Sequence, residues 1–370
     1  MLIIRCVNMV NDLDEIMRNT ACIRPIPLAS IGTGWLDSPR QKGVHYAQAS
    51  SGKAAWSRPA QQVPRKEHAG RAANRQPARY IQCNTHHTEG GAIMKSLQGK
   101  VALVTGASRG VGKGIALGLG EAGATVYITG RTTEDGQSAA KLPGTIYQTA
   151  EEVTRLGGQG IAAHCDHRND EEVQAVFDRI RSEQNRLDIL VNNVWGGYEH
   201  YTDGTEFWNE KNFWSMPFAR WDAMFQAGVR AHYVASVLAA PMMIMQLSGL
   251  IVNISFFAAQ RNDRGVAYGV AKAASDHMAA CMAHELREYN VAAVALYPGL
   301  VRTESVLKAN FDMSNSESPQ FIGRAVSALT IDPELMKKSG QILVAANLAL
   351  EYGFTDIDGR QPRPISVAEA

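Results

Sequence analysis

Between Lys100 and Ala346 the chain alternates short apolar runs with longer amphipathic stretches. The short runs are rich in aliphatic and β-branched residues and are bounded by turn-forming residues. They predict strands at 100–105, 124–129, 160–164, 187–191, 249–255, 291–297 and 341–345. Between them apolar positions recur three and four apart, which predicts helices at 111–122, 146–156, 170–184, 219–246, 267–289 and 319–329. Strands that alternate with helices in this way form a parallel sheet covered on both faces, an α/β fold. Two connections are longer than such a fold needs. Thr132–Gly144 carries Glu-Asp-Gly and Leu-Pro-Gly turn chemistry. Trp195–Arg220 carries Trp195, Tyr198, Tyr201, Phe207, Trp208, Phe213, Trp214 and Phe218, enough aromatic surface to wall an apolar pocket or to pack on itself.

Residues 1–93 show no sustained period after about Met17. They carry 12 Lys and Arg against 6 Asp and Glu, whereas the remainder carries 25 against 30. A near-neutral total therefore hides a basic leader on an acidic body. The leader is rich in Pro, Gly, Gln, Ser and Arg and cannot bury much apolar surface, so disorder is expected there. Met94 opens a typical lead-in to the first strand, which makes residues 94–370 the folded domain and 1–93 an over-extended reading frame. A targeting segment is the rival, against which Asp12, Asp14 and Glu15 argue. A basic nucleic-acid arm is the weaker alternative, since Trp35, Tyr46, Trp56 and Tyr80 are scattered rather than interleaved with a basic run. Cys83, His86 and His87 lack a second ligand pair at zinc spacing, so no metal is expected.

The strand at 100–105 ends in Thr105-Gly106-Ala107-Ser108-Arg109-Gly110-Val111-Gly112, and a helix follows at once. Strand, glycine turn and helix N-terminus together suit a dinucleotide pyrophosphate. The next strand ends in Gly130-Arg131, with no acid from Ala124 to Thr133 to accept from a ribose 2′-hydroxyl. Arg131, with Arg109 inside the turn, suits a 2′-phosphate instead, which favours NADP(H) over NAD(H).

Tyr268 and Lys272 stand four apart on a predicted helix and so share a face, with Ser255 thirteen residues upstream of the tyrosine. A phenol with a pKa near ~10 is a poor proton shuttle at neutral pH, and an adjacent ammonium favours the phenolate.

Taken together these residues resemble the short-chain dehydrogenase/reductase family over about 97–346. The motifs are Thr105-Gly-x-x-x-Gly110-x-Gly112, Asp166 after the third strand, Asn192-Asn193 after the fourth, Tyr268-x-x-x-Lys272, and Pro298-Gly299 with Thr303 after the sixth. Within the family the chain is most similar to the branch called dehydrogenase/reductase family member 1, through Tyr127–Arg131, Ala283–Arg287 and Glu351–Gly359. The fold is then a single Rossmann-type doubly wound sheet of order 3-2-1-4-5-6-7, with ligands beyond the carboxyl ends of the strands. The resemblance implies Tyr268 as general acid/base, assisted by Lys272 on the nicotinamide ribose. It implies Asn193 on the nicotinamide side, Asp166 near the adenine, and Pro298, Gly299, Val301 and Thr303 around the nicotinamide and pyrophosphate. It also implies a homo-oligomer that pairs the helix carrying Tyr268.

Two positions depart from the family. The usual Ser-Ser pair after the fifth strand is Ser255-Phe256: counted along the strand the polarising slot holds the phenylalanine, counted back from Tyr268 it holds Ser255, and Ser255 is taken as the group that polarises the carbonyl, with a hydroxyl that caps the strand end as the alternative. The usual Asn in the long helix is Gly228, which cannot supply an amide to a proton relay. The expected activity is an NADP(H)-dependent oxidoreductase acting on a carbonyl or secondary alcohol of a small to medium apolar substrate. The alternatives are an NAD-dependent alcohol dehydrogenase, or a catalytically weak relative that acts by binding nucleotide. Only Cys165 and Cys281 lie in the domain, which fits a reducing compartment such as the cytoplasm, and no apolar run approaches the length of a membrane span.

Overall fold

The computed structural model describes residues 96–138, 141–201, 203–209 and 212–369. The extension expected at 1–93, with its boundary at Met94, lies outside the described residues. Seven strands build one sheet: β1 (Val101–Val104), β2 (Thr125–Gly130), β3 (Gln159–His164), β4 (Ile189–Asn192), β5 (Gly249–Ile254), β6 (Val291–Tyr297) and β7 (Ile342–Val344). The order is β3-β2-β1-β4-β5-β6-β7 and every pairing is parallel. Each strand ends within two residues of its predicted bounds.

The helices are α1 (Gly110–Glu121), α2 (Ile146–Arg155), α3 (Asp170–Gln184), α4 (Phe218–Met224), α5 (Ala231–Gln246), α6 (Val266–Leu286), α7 (Pro319–Ile331), α8 (Leu335–Lys338) and α9 (Ala345–Tyr352). Their starts follow local chemistry. Thr145 and Gln148 form a reciprocal capping box at α2, Asn169 caps α3, and Ser318 caps α7 with Pro319 in its first turn. The short α8 and the eight-residue α9 are absent from the sequence expectation, because so few turns give little periodic signal.

The strands are apolar on both faces, as a sheet with helices on both sides requires. Ala102 and Val104 of β1 face one core with α1, α7 and α9. Val101 and Leu103 face the other with α3 and α5. A helical stretch, Phe218–Gln246, is long and apolar enough by length and composition to cross a membrane. Ala235, Ala239, Met242 and Met243 of this stretch pack into the second core. Met245 falls on the outer face of α5 and is exposed.

Candidate active site

The carboxyl ends of β1 and β4 are tied together by Thr105. Its hydroxyl donates to the Val191 carbonyl at 3.1 Å and accepts from the Asn193 and Val194 N–H groups at 2.9 and 3.1 Å. The Asn193 amide donates to the carbonyls of Thr105 and Gly106 at 2.9 and 3.0 Å, so it braces the glycine turn. A Cβ at Gly112 would stand 2.3 Å from the Asn193 amide nitrogen and 2.6 Å from the Gly106 carbonyl oxygen, and only glycine fits. Ser108 is buried and Val111 packs on the first core. The first turn of α1 holds no acid. The Gly110 N–H donates to the Glu304 carboxylate at 2.9 Å, from the loop after β6 that also brings Thr303 beside Gly110. An anionic group of the chain thus sits where a helix N-terminus receives an anion, and the turn has the chemistry a pyrophosphate needs.

The two guanidinium groups expected to clamp a 2′-phosphate are both engaged by acceptors of the chain. Arg109 donates to the carbonyls of Pro143 and Gly144 at 2.9 and 2.7 Å. Arg131, just past β2, pairs with Glu199 at 2.5 Å and lies 3.9 Å from Asp166. Arg168 pairs with the same two carboxylates, at 2.7 Å to Asp166 and 3.2 Å to Glu199. Glu199 arrives on the loop after β4. No motif marks it in the sequence, and only the folded loop brings it to Arg131.

Tyr268 and Lys272 stand one turn apart near the start of α6. Phe207, Trp195 and Phe256 surround the tyrosine, with ring centroids at 4.8, 5.6 and 6.2 Å. This enclosure pushes the phenol above its ordinary pKa, and the nearby Arg264 charge opposes the shift. The phenol is therefore not lowered as the sequence spacing suggests, because burial outweighs the opposing charge of Arg264. The Lys272 ammonium lies 5.9 Å from the Tyr268 ring centre, donates to the Ile254 carbonyl at 3.2 Å and sits 4.5 Å over the Trp195 indole. Burial lowers it to about 8, with Asp276 opposing.

Ser255 is buried, and its hydroxyl donates to the Lys272 carbonyl at 3.2 Å. It lies in a polar cluster with Asp276 and Tyr297, which share a short hydrogen bond. Phe256, its neighbour, turns its ring to Tyr268. Successive residues leaving a strand point opposite ways, and here the phenylalanine takes the side that faces the tyrosine.

Between α4 and α5 the helix widens into a π turn, Phe225–Arg230, that contains Gly228. A Cβ there would come within 3.1 Å of the Trp195 ring. The glycine at this departure from the family pattern makes room for the indole on which Lys272 rests. His232 is buried and bonded to the Val194 carbonyl at 3.0 Å, which keeps it a core residue.

After β6 the chain turns at Pro298. The Gly299 N–H donates to the Glu317 carboxylate at 2.8 Å, and Val301 is buried and bridged to Glu317. Burial raises Glu317 to about 7. Sequence spacing gives no sign of this acid, which lies outside every motif. Beside Tyr268 opens a cavity of about 570 Å³, walled by Tyr201, Phe207, Trp208 and Met216 and carrying Arg264. Part of the aromatic connection after β4, the half-exposed Phe213 included, therefore walls a pocket, while Trp214 and Phe218 are largely exposed. Among the described residues no cluster of His, Cys, Asp and Glu is arranged to hold a metal ion.

A dinucleotide cradle at the switch point of the sheet, and a Tyr-x-x-x-Lys pair beside an apolar cavity, define a nicotinamide-dependent oxidoreductase. The chain belongs to the short chain dehydrogenase family, whose model matches residues 100–313, and it is an NAD(P)-dependent oxidoreductase. It is 41% identical to dehydrogenase/reductase SDR family member 1 of Mus musculus, over 72% of this chain and 86% of that one. Among solved structures it is similar to a 7α-hydroxysteroid dehydrogenase complexed with NADH and 7-oxo glycochenodeoxycholic acid, at TM-score 0.55 and 30% identity, over 67% of this chain and 93% of that one. It is also similar to a metagenomic short-chain oxidoreductase in complex with NADP, at TM-score 0.53 and 29% identity, over 67% and 97%.

Proposed function

We propose that the protein interconverts a carbonyl and a secondary alcohol on a small to medium apolar substrate, with NADP(H) as the favoured cofactor. The observation that carries this reading is Tyr268 on the wall of a 570 Å³ aromatic cavity, with Lys272 one helical turn away. Bound nicotinamide supplies or accepts the hydride. Tyr268 gives a proton to the substrate oxygen in reduction and takes one in oxidation. Lys272 holds positive charge beneath it and is the candidate partner of the nicotinamide ribose. Gly106, Gly110 and Gly112 would admit the pyrophosphate, with Glu304 leaving the Gly110 N–H as it enters. Pro298, Gly299, Val301 and Thr303 form the candidate wall on the nicotinamide side. Ser255 enters this reading as an anchor of α6, because its hydroxyl is committed to the Lys272 carbonyl.

The absence of an acid directly after β2 supports NADP(H), with Arg131 and Arg109 as 2′-phosphate partners. Glu199 favours a second reading, in which Arg131 stays paired and NAD(H) is accepted instead. Turnover of ketones and aldehydes with NADPH and NADH, beside Tyr268→Phe, tests both. Loss of the phenol should lower kcat/KM by about 10²- to 10⁴-fold while cofactor binding persists. Undiminished turnover in that variant would sink the assignment, and a preference for NADH would decide for the second reading.

A further inference from the structure

We propose that Trp195 is a positioning residue of the reaction: the face of its indole keeps the Lys272 ammonium charged and in place beside Tyr268. This inference rests on the oxidoreductase reading and adds the group through which Lys272 plays its part. Lys272 is buried, and an ammonium there has three N–H groups to satisfy away from water. One donates to the Ile254 carbonyl at 3.2 Å. The nitrogen also stands 4.5 Å over the Trp195 ring, well inside the reach of a cation–π contact. It lies 5.9 Å from the Tyr268 ring, so the indole is the nearer face. Indole is the best of the natural rings for this contact, which is strongest where water is excluded.

The fold around the ring is cleared for it. A Cβ at Gly228, inside the π turn, would come within 3.1 Å of the indole, and a Cβ at Gly197 would stand 1.9 Å from the indole nitrogen. Glycine at both positions lets the ring reach Lys272. Phe207 and Tyr268 pack on the same ring, with centroids at 6.1 and 5.6 Å, so the indole touches both members of the Tyr-x-x-x-Lys pair. Other groups act on the ammonium too. Asp276, one turn further along α6, favours its charge and is itself bonded to Tyr297 of β6. His232 of α5 is pushed down to about 3 by burial first and then by the Lys272 charge, so it faces the lysine as a neutral ring. Burial of Lys272 still brings it down to about 8, while the Tyr268 phenol is raised and stays neutral there. The lysine therefore changes charge close to neutral pH, where a ring that favours the cation changes how much of the protein is charged.

The test reads Lys272 directly and through turnover. The full chain, free of cofactor, carries a carbon-13 label at the lysine ε position, and the Lys272 resonance is assigned by its loss in Lys272→Met. Trp195→Leu keeps apolar bulk without a π face. Its Lys272 midpoint should fall from about 8 by roughly one pH unit, because losing a group that favours the cation moves deprotonation to lower pH. Trp195→Phe, with a weaker face, should fall about half as far. The basic limb of kcat/KM, measured with NADPH and NADH over a panel of ketones and aldehydes, should move with the midpoint. At pH 8 the Trp195→Leu rate should be about fivefold below the wild type. At pH 6, where the ammonium is charged in both proteins, the rates should agree within about twofold. A role in packing alone would leave the midpoint unmoved and lower the rate by one factor at both pH values, and either result overturns the inference. Gly228→Ala crowds the ring without removing it and should also lower the midpoint. If the Trp195 variants fail to fold, an unmoved midpoint in Gly228→Ala overturns the inference. A shifted midpoint in a protein that turns over no carbonyl upholds the hold of Trp195 on Lys272 and overturns the oxidoreductase reading instead.

Discussion

Burial of the Lys272 ammonium has a sign that can be worked through. Its pKa falls from 10.5 to about 8. Between those values the unfolded chain binds a proton that the folded chain lacks, so folding stability rises with pH across that window. Below about 8 the cost of the buried charge is present in full. Lys272→Met should therefore melt no lower than the wild type at pH 7, and its relative advantage should be gone near pH 10.5, while turnover falls sharply. Thermal melts at the two pH values check this. A variant that melts well below the wild type at pH 7 would show that the Trp195 and Ile254 contacts outweigh the desolvation. The neighbouring pair makes a second test. Ser255→Ala removes the buried hydrogen bond to the Lys272 carbonyl and the hydroxyl's contacts with Asp276 and Tyr297, so about 1 to 3 kcal/mol of stability should go, with kcat/KM changed by less than about threefold. Phe256→Ser puts a hydroxyl on the side facing Tyr268, and turnover of ketones should rise by about tenfold or more. Rates that collapse in Ser255→Ala would restore that serine as the group polarising the carbonyl.

The elements meet where three loops converge beyond β2, β3 and β4. Arg131, Arg168, Asp166 and Glu199 form one charge network there, with each guanidinium within reach of both carboxylates. Glu199→Gln weakens the hold on Arg131 and should improve the KM for NADPH relative to NADH by about tenfold. An unchanged ratio would mean that Arg131 does not meet the 2′ position. The strands and long helices were readable because each repeats one period across several turns or pleats. The glycine turn was readable because its spacing is dictated by a close backbone approach, as the Gly112 contacts make explicit. Glu199, Arg264, Glu304 and Glu317 were not, because irregular loops or packing far along the chain bring them to the site. The ambiguity at Ser255 and Phe256 has the same origin. Sequence alone places both at a strand end, and only the packing against α6 decides which one faces Tyr268. Gly228 was readable as a departure, but its reason, the Trp195 ring, lies 33 residues away on another loop.

At the scale of the molecule, both helices that flank the site leave apolar side chains in solvent. Tyr233 and Val237 stand four apart on α5, and Val266 and Val270 four apart on α6, each 45% to 58% exposed. Each pair forms a stripe on one helix face. The inner faces of the same helices are occupied by the second core or by the π turn, so the stripes face outward, with Val266 at the rim of the cavity beside Tyr268. We propose a homo-oligomer that joins these faces, the pairing of the tyrosine-bearing helix that the resemblance to the family implies. The consequence reaches the chemistry, because α6 carries both Tyr268 and Lys272 and its first turn lines the cavity. Packing α6 against a partner would hold that turn in place. Light scattering should therefore give at least a dimer for the wild type. Tyr233→Glu combined with Val270→Glu should shift it to monomer, since burying two carboxylates in an apolar interface is costly. Specific activity of the wild type should fall on dilution through the dissociation range. A wild type that is monomeric at micromolar concentration, with activity independent of dilution, would overturn this assembly.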